Sequence, residues 1–262
     1  MQRMKNGALR VLQALCCAIF LVFPALLYAA EMPDSPADDD TSSPAATTGK
    51  TVMILGLGWQ PAFCEGKSNM AECRNQSADD LAARQFSLNG LWRMRQTYCG
   101  VPDALKDQDK QRKWLAMPAL ALDEELRVEL AKAMPGMVSG LERHEWIKHG
   151  TCSGDVAARY YQRSLKMLAD VNRSAVGKLF GDNIGKTLKQ AEIRAAFETA
   201  FGPGAGDKIK MRCRKDGNRE IITGITIGLG STEGDDLKAL IAAAGTTKFG
   251  CLEGAVDAVG QQ

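Results

Sequence analysis

Apolar and polar positions fall along this chain in runs that mark out its elements. Thr51 to Trp59 (TVMILGLGW) is a mostly apolar run with β-branched residues and predicts a buried strand. Gln85 to Trp92 (QFSLNGLW) alternates apolar and polar residues through Leu88, which predicts a second strand. Ser77 to Ala83 between them reads as a short helix. Asp123 to Met134 places apolar residues at helical spacing and stops at Pro135-Gly136. Leu141 to Gly150 is helical in propensity, with Gly150 at a plausible C′ position. A longer amphipathic helix starts near Asp155 and runs through Tyr160, Leu165 and Met167 to about Val171, and another covers Gln190 to Phe201. Lys208 to Cys213 and Glu220 to Leu229 (EIITGITIGL) read as strands, and Asp235 to Ala244 as a final helix. There is no internal repeat. Strands and helices that do not alternate regularly predict an α+β fold, a central antiparallel sheet with helices packed to one side.

The first thirty residues follow a different pattern. Arg3, Lys5 and Arg10 give a basic start, Val11 to Leu27 is apolar, and Ala29 and Ala30 offer a cleavage point. That is the pattern of a secretory signal peptide over residues 1–30. A retained membrane anchor is the competing reading, since the apolar run is near the lower limit for spanning a bilayer. Pro24 and the small residues favour cleavage, with no membrane attachment of the mature chain. Residues 31–49 hold Pro33, Pro36, Pro44 and the run Asp38-Asp39-Asp40, a composition that cannot bury enough apolar surface to order itself. Residues 50–262 are then one domain of ordinary size.

Composition alters the picture once these segments are set apart. The chain has 33 basic and 31 acidic residues. Removing three basic residues with the leader and five acidic ones with the linker leaves 30 against 26. A mildly basic domain suits a polyanionic partner, as do many exported proteins with other tasks. Two of the eight cysteines lie in the leader, leaving Cys64, Cys73, Cys99, Cys152, Cys213 and Cys251. An even number in an exported domain predicts disulfides, among fifteen possible pairings. No C-x-x-C spacing suggests a metal site.

Candidate chemistry is concentrated in Leu141 to Ser153, LERHEWIKHGTCS. On a helix reaching Gly150, Glu145, Lys148 and His149 share one face. Histidine can take a proton near neutral pH, a carboxylate can orient it, and lysine can stabilise charge developing on a phosphorane-like transition state. Ordinary surface helix pairs fit the same spacing. A zinc helix does not, because it places two histidines four apart. His144 and His149 are five apart, about 140° around a helix. Trp146 reads as core.

Several segments carry a family resemblance. HEWIKHGTC, His144 to Cys152, is similar to the second active-site segment of the ribonuclease T2 family, and FSLNGLWR, Phe86 to Arg93, resembles the first, which normally reads close to F-x-x-H-G-L-W-P. LGLGWQPAFC (Leu55 to Cys64), AECR (Ala71 to Arg74) and GKTLKQAEIRAAFETAFG (Gly185 to Gly202) are similar to segments of bacterial members, in the same order. The resemblance implies a metal-free, cofactor-free endoribonuclease acting through a 2′,3′-cyclic phosphate, with RNA as partner. It implies His149 as base, Glu145 and Lys148 polarising the phosphate, His144 assisting phosphate binding and Trp92 beside the phosphate. Trp59 could stack on a base, though core packing is its better reading. The resemblance also implies Cys99 paired with Cys152 and Cys213 with Cys251, which leaves Cys64 with Cys73. A monomer in the periplasm or secreted is expected.

One position departs from the family pattern. The histidine of the first segment aligns with Asn89, and the proline after its tryptophan with Arg93. An amide can bond a phosphate oxygen but cannot exchange a proton near neutral pH. His144 and His149 are the chain's two histidines, and both already belong to the second segment. Loss of a general acid typically costs about 10²- to 10⁴-fold in rate. Three readings follow: an endoribonuclease of reduced activity, an RNA-binding pseudoenzyme, or an exported protein-interaction scaffold.

Overall fold

In chain order the elements are β1 (Met53–Gly58), α1 (Gln60–Cys64), β2 (Ser87–Arg93), α2 (Asp103–Lys110), α3 (Glu124–Ala133), α4 (Leu141–Lys148), α5 (Ala157–Asn172), α6 (Ala175–Asp182), β3 (Thr187–Lys189), α7 (Gln190–Phe201), β4 (Ile209–Asp216), β5 (Arg219–Leu229), α8 (Leu237–Ala242) and β6 (Glu253–Ala255). This is a computed structural model, and it describes residues 49–260. The leader, and the linker up to its last residue, lie outside the described residues. Among the described residues no helix is long and apolar enough to cross a membrane.

The fold is α+β, with one six-stranded sheet in the order β2-β1-β5-β6-β3, and β4 pairing with β5. It is not antiparallel throughout as the sequence pattern predicts, because β6 joins β5 in parallel, Ile221 opposite Ala255. Side chains alternate across a strand, so register sorts the residues by face. Leu55 and Leu57 of β1 stand opposite Ile227 and Ile225 of β5, and those in turn opposite Ile209 and Met211 of β4. All six are buried, in one cluster with Tyr160, Leu165 and Leu168 of α5, Phe180 of α6, and Ile193 and Phe197 of α7. The other face is poor in side chains: Gly56 lies opposite Gly90, and Gly58 opposite Gly224. The cleft described below is lined by Gly58.

Local chemistry explains where the elements depart from the pattern. Ser77 to Ala83 forms only a 3-10 turn at Leu81–Ala83. The Ser77 amide donates to Asp80 Oδ2 and the Asp79 amide to Ser77 Oγ, so the side chains take up backbone donors in a non-helical arrangement. The last helix starts at Leu237 because the Asp236 carboxylate caps it, accepting from the Ala239 amide. Trp59 is fully buried, its indole N–H donating to the Asp257 carbonyl at 2.7 Å. It is a core residue. Three disulfides join Cys64 to Cys73, Cys99 to Cys152 and Cys213 to Cys251. The second ties the chain after β2 to the turn after α4.

Candidate active site

β2 carries one residue more than β1 across its middle. Gly90 pairs with Gly56 and Leu88 with Leu57, so Asn89 is the bulged residue between them. Bulges re-aim side chains, and this one sets Asn89 on the wall of a cleft of about 920 Å³ together with Ser87 and Trp92. The Tyr160 hydroxyl fixes the strand just beyond, accepting from the Leu91 amide and donating to its carbonyl. Trp92 can lie over β1 because position 56 is glycine: a Cβ there would stand 2.5 Å from the indole ring.

α4 supplies the facing groups. Glu145 is 5% exposed, and its Oε2 accepts from Trp92 Nε1 at 2.6 Å. Gly90 makes room for that bond, since a Cβ at position 90 would fall 2.1 Å from Glu145 Oε2. Burial pushes the Glu145 carboxyl up to about 8, with the Trp92 bond and the Lys148 ammonium pulling the other way. Glu145 therefore holds a proton at neutral pH. His144 Nε2 stands 3.8 Å from Glu145 Oε1.

His144 is held from behind. Its Nδ1 lies 2.6 Å from Asp109 Oδ1, and the Trp114 ring stacks on the imidazole at 4.6 Å. Asp109, from α2, is buried; the Tyr98 hydroxyl donates to its Oδ2 at 2.6 Å, and the Trp114 indole N–H donates to its carbonyl. Burial, and then this bond, pushes the Tyr98 hydroxyl up to about 12. For His144 burial outweighs the attraction of Asp109, and its pKa lies below the ordinary value. Sequence reading missed Asp109, Tyr98 and Trp114. None lies in the two motif segments, and α2 is so polar that no apolar periodicity marks it.

Asn89, Trp92, His144, Glu145 and Lys148 all line the cleft; His149 does not. The helix ends at Lys148, one residue short of the expected face, and His149 is its C-cap at φ −122°, ψ −45°. Gly150 then packs against the Trp146 ring, where a Cβ would stand 2.3 Å from Cε3, and the chain turns through a 3-10 turn to Cys152. His149 therefore leaves the face of Glu145 and Lys148, and its ring sits 5.8 Å from that of Trp92. Its Nδ1 is enclosed with no hydrogen-bond partner among the described residues. Burial, then the Lys148 charge, pushes its pKa down to about 4, so the ring is neutral at pH 7. Asn89 makes no side-chain hydrogen bond among the described residues, and its Oδ1 faces Gly58. One group of possible metal ligands occurs among the described residues, Cys213, Glu220 and Cys251, but both sulfurs are spent in the disulfide.

The arrangement is an imidazole, a protonated carboxyl and an ammonium around one opening, with two tryptophans behind them. Residues 50–243 match the family model for the Ribonuclease T2 family. The chain belongs to the ribonuclease T2 family. Within that family it is 27% identical over 205 residues to Ribonuclease I of Escherichia coli (strain K12), covering 67% of this chain and 74% of that protein. It is 24% identical over 181 residues to Ribonuclease Rh of Rhizopus niveus, covering 62% of this chain and 66% of that one. Among solved structures it is similar to Japanese pear S3-RNase, at a TM-score of 0.48 and 18% identity over 77% of this chain and 90% of that one.

Proposed function

We propose that this T2-family chain is an exported endoribonuclease that cleaves RNA through a 2′,3′-cyclic phosphate and turns over slowly because of Asn89. One observation carries the reading: two segments about fifty residues apart bring Asn89, Trp92, His144, Glu145 and Lys148 to a single cleft. In the reaction the ribose 2′-oxygen bonds to the adjacent phosphorus and the bond from phosphorus to the 5′-oxygen breaks. His149, the base by its position in the second family segment and neutral at pH 7, takes the 2′-hydroxyl proton, which requires its ring to reach the cleft from its place beside Trp92. The protonated Glu145 and the Lys148 ammonium face the oxygens on which charge develops. His144, steadied by Asp109 and Trp114, contacts a phosphate oxygen. The 5′-oxygen must regain a proton, and the Asn89 amide has none to give, so water supplies it slowly. Neither a metal nor a cofactor takes part.

Export is supported by the residue pattern of positions 1–30 and by three disulfides, which persist in oxidising compartments such as the periplasm or the exterior. Asn89 also favours a second reading, an RNA-binding protein without turnover. The two are separated by incubating the protein, with EDTA present, with RNA and with single-stranded DNA of the same sequence. Fragments ending in 2′,3′-cyclic phosphate from RNA alone support the enzyme. Salt-dependent binding without fragments supports the second reading.

A further inference from the structure

Another wall of the cleft comes from elements that hold none of the groups used so far. Arg212 and Arg214 lie two apart on β4, and both line the cleft together with Lys67 from the segment after α1. The pairing of β4 with β5 slips here: Arg212 lies opposite Gly224 and Cys213 opposite Ile222, leaving Thr223 as a bulge. Thr223 Oγ1 donates to the Arg212 carbonyl and steadies the strand.

The three cations are poorly compensated. Arg212 Nε is enclosed with no hydrogen-bond acceptor, and no carboxylate pairs with Arg212 among the described residues. Burial alone lowers its pKa, yet a guanidinium stays charged. A buried charge without a partner is costly, and such a group calls for an explanation. The Arg214 guanidinium donates to the Ala62 carbonyl at 3.0 Å and the Glu65 carbonyl at 2.9 Å. These neutral acceptors fix its orientation at the end of α1 without cancelling its charge. Lys67 Nζ is held 3.9 Å from the centroid of the Phe63 ring, and Phe63 lines the cleft as well. Burial, then the charge of Arg214, lowers the Lys67 pKa. Three carboxylates lie within electrostatic range of the wall, and one of them, Asp257, is outside the cleft lining and bonded to Arg219. Glu65 is outside the cleft lining; Glu72 lines it, and its Oε2 accepts from Ser139 Oγ.

We infer that Arg212, Arg214 and Lys67 form a second phosphate site, which takes a phosphodiester neighbouring the one that reacts. The inference rests on the reading of the cleft as an RNA site. Its volume of about 920 Å³ is at the upper end for small-ligand pockets, which suits a stretch of chain more than a single nucleotide. Separate groups serve the two phosphates, Asn89, His144 and Lys148 on β2 and α4, and the cations on β4 and after α1. Arginine supplies the planar donor fork that phosphate oxygens match. An unpaired Arg212 in the free protein is what a site awaiting an anion requires.

The test uses 2′-O-methyl RNA, which binds but lacks the attacking hydroxyl. Fluorescein-labelled dimer (one phosphodiester) and tetramer (three) are titrated against the unaltered protein, Arg212→Gln, Arg212→Lys and Arg214→Gln over a range of salt. Thermal unfolding of each variant is followed alongside. The unaltered protein is expected to bind tetramer about tenfold more tightly than dimer. Arg212→Gln and Arg214→Gln should remove most of that gain, leave dimer affinity unchanged and reduce the salt slope for tetramer by about 0.7. Arg212→Lys should keep most of it. Equal losses for dimer and tetramer, or a tetramer gain that survives both glutamine variants, would overturn the inference while the RNA reading stands. If the unaltered protein binds neither oligonucleotide, the RNA reading falls and the second phosphate site with it.

Discussion

In the proposed reaction Asn89 and His144 both meet the phosphate, and they differ in how firmly the fold holds them. Asn89 makes no side-chain hydrogen bond among the described residues, whereas His144 is fixed by Asp109 at 2.6 Å and by the Trp114 ring. Asp109 raises the His144 pKa against the effect of burial, so Asp109→Asn should lower it further. With two histidines in the chain, proton NMR resolves two imidazole titrations. The variant should move the His144 curve to lower pH by more than that of His149, which Asp109 raises only as its smallest contribution and without a hydrogen bond. Equal displacement of both curves would mean that Asp109 acts on the whole site. The Trp92–Glu145 bond gives a second expectation. Trp92→Phe leaves a buried carboxyl oxygen without its donor and should cost about 1–3 kcal/mol in urea unfolding. It should also raise the Glu145 pKa, because the lost bond favours the charged form.

At the scale of elements, a bulge and a helix end place the site. Asn89 reaches the cleft through the extra residue in β2, and α4 stops at Lys148 because Gly150 packs against Trp146. Gly90→Ala should therefore drive Glu145 Oε2 from the Trp92 indole and cost about 1–3 kcal/mol, while Gly185→Ala, where a Cβ meets nothing within 4 Å, costs less and acts through its backbone conformation alone. Circular dichroism on urea unfolding compares the two. Much of this level was legible in the sequence. Apolar runs marked β1 and β5, and Asp123 with Pro135-Gly136 bounded α3. The Leu141 to Gly150 pattern located α4 to within two residues, and those two residues decide where His149 goes. The rest was not legible for physical reasons. A bulge is a matter of pairing between β1 and β2, invisible in either strand alone. α2 buries only Asp109 among its eight residues, so no apolar stripe announced it. β6 is three residues long and depends on its partner Ile221.

For the molecule as a whole, burial of two titrating groups shapes stability against pH. Glu145 is pushed up from 4.5 to about 8, so between those values the unfolded chain has released a proton that the folded chain keeps. Stability from this group is full below pH 4.5 and is lost as pH rises through 8. His149 is pushed down from 6.5 to about 4, so its contribution is full above 6.5 and is lost as pH falls through 4. The two slopes oppose each other between 4.5 and 6.5, and only the Glu145 loss remains above 6.5. The unfolding free energy should fall by about 1–2 kcal/mol from pH 6.5 to 8 and stay nearly level in Glu145→Gln. Three disulfides add stability that does not titrate in this range; replacing Cys99 and Cys152 by alanine, which opens a span of 53 residues, should cost about 2–5 kcal/mol.

The central claim is that a T2-family site is assembled here and slowed by one side chain. The most direct measurement compares the protein with Asn89→His on total RNA, with disulfides intact and EDTA present, scoring 2′,3′-cyclic phosphate ends against time. The account predicts that the histidine variant forms these ends about 10²- to 10⁴-fold faster. Equal rates for the two proteins would contradict it, because another group would then be protonating the leaving oxygen.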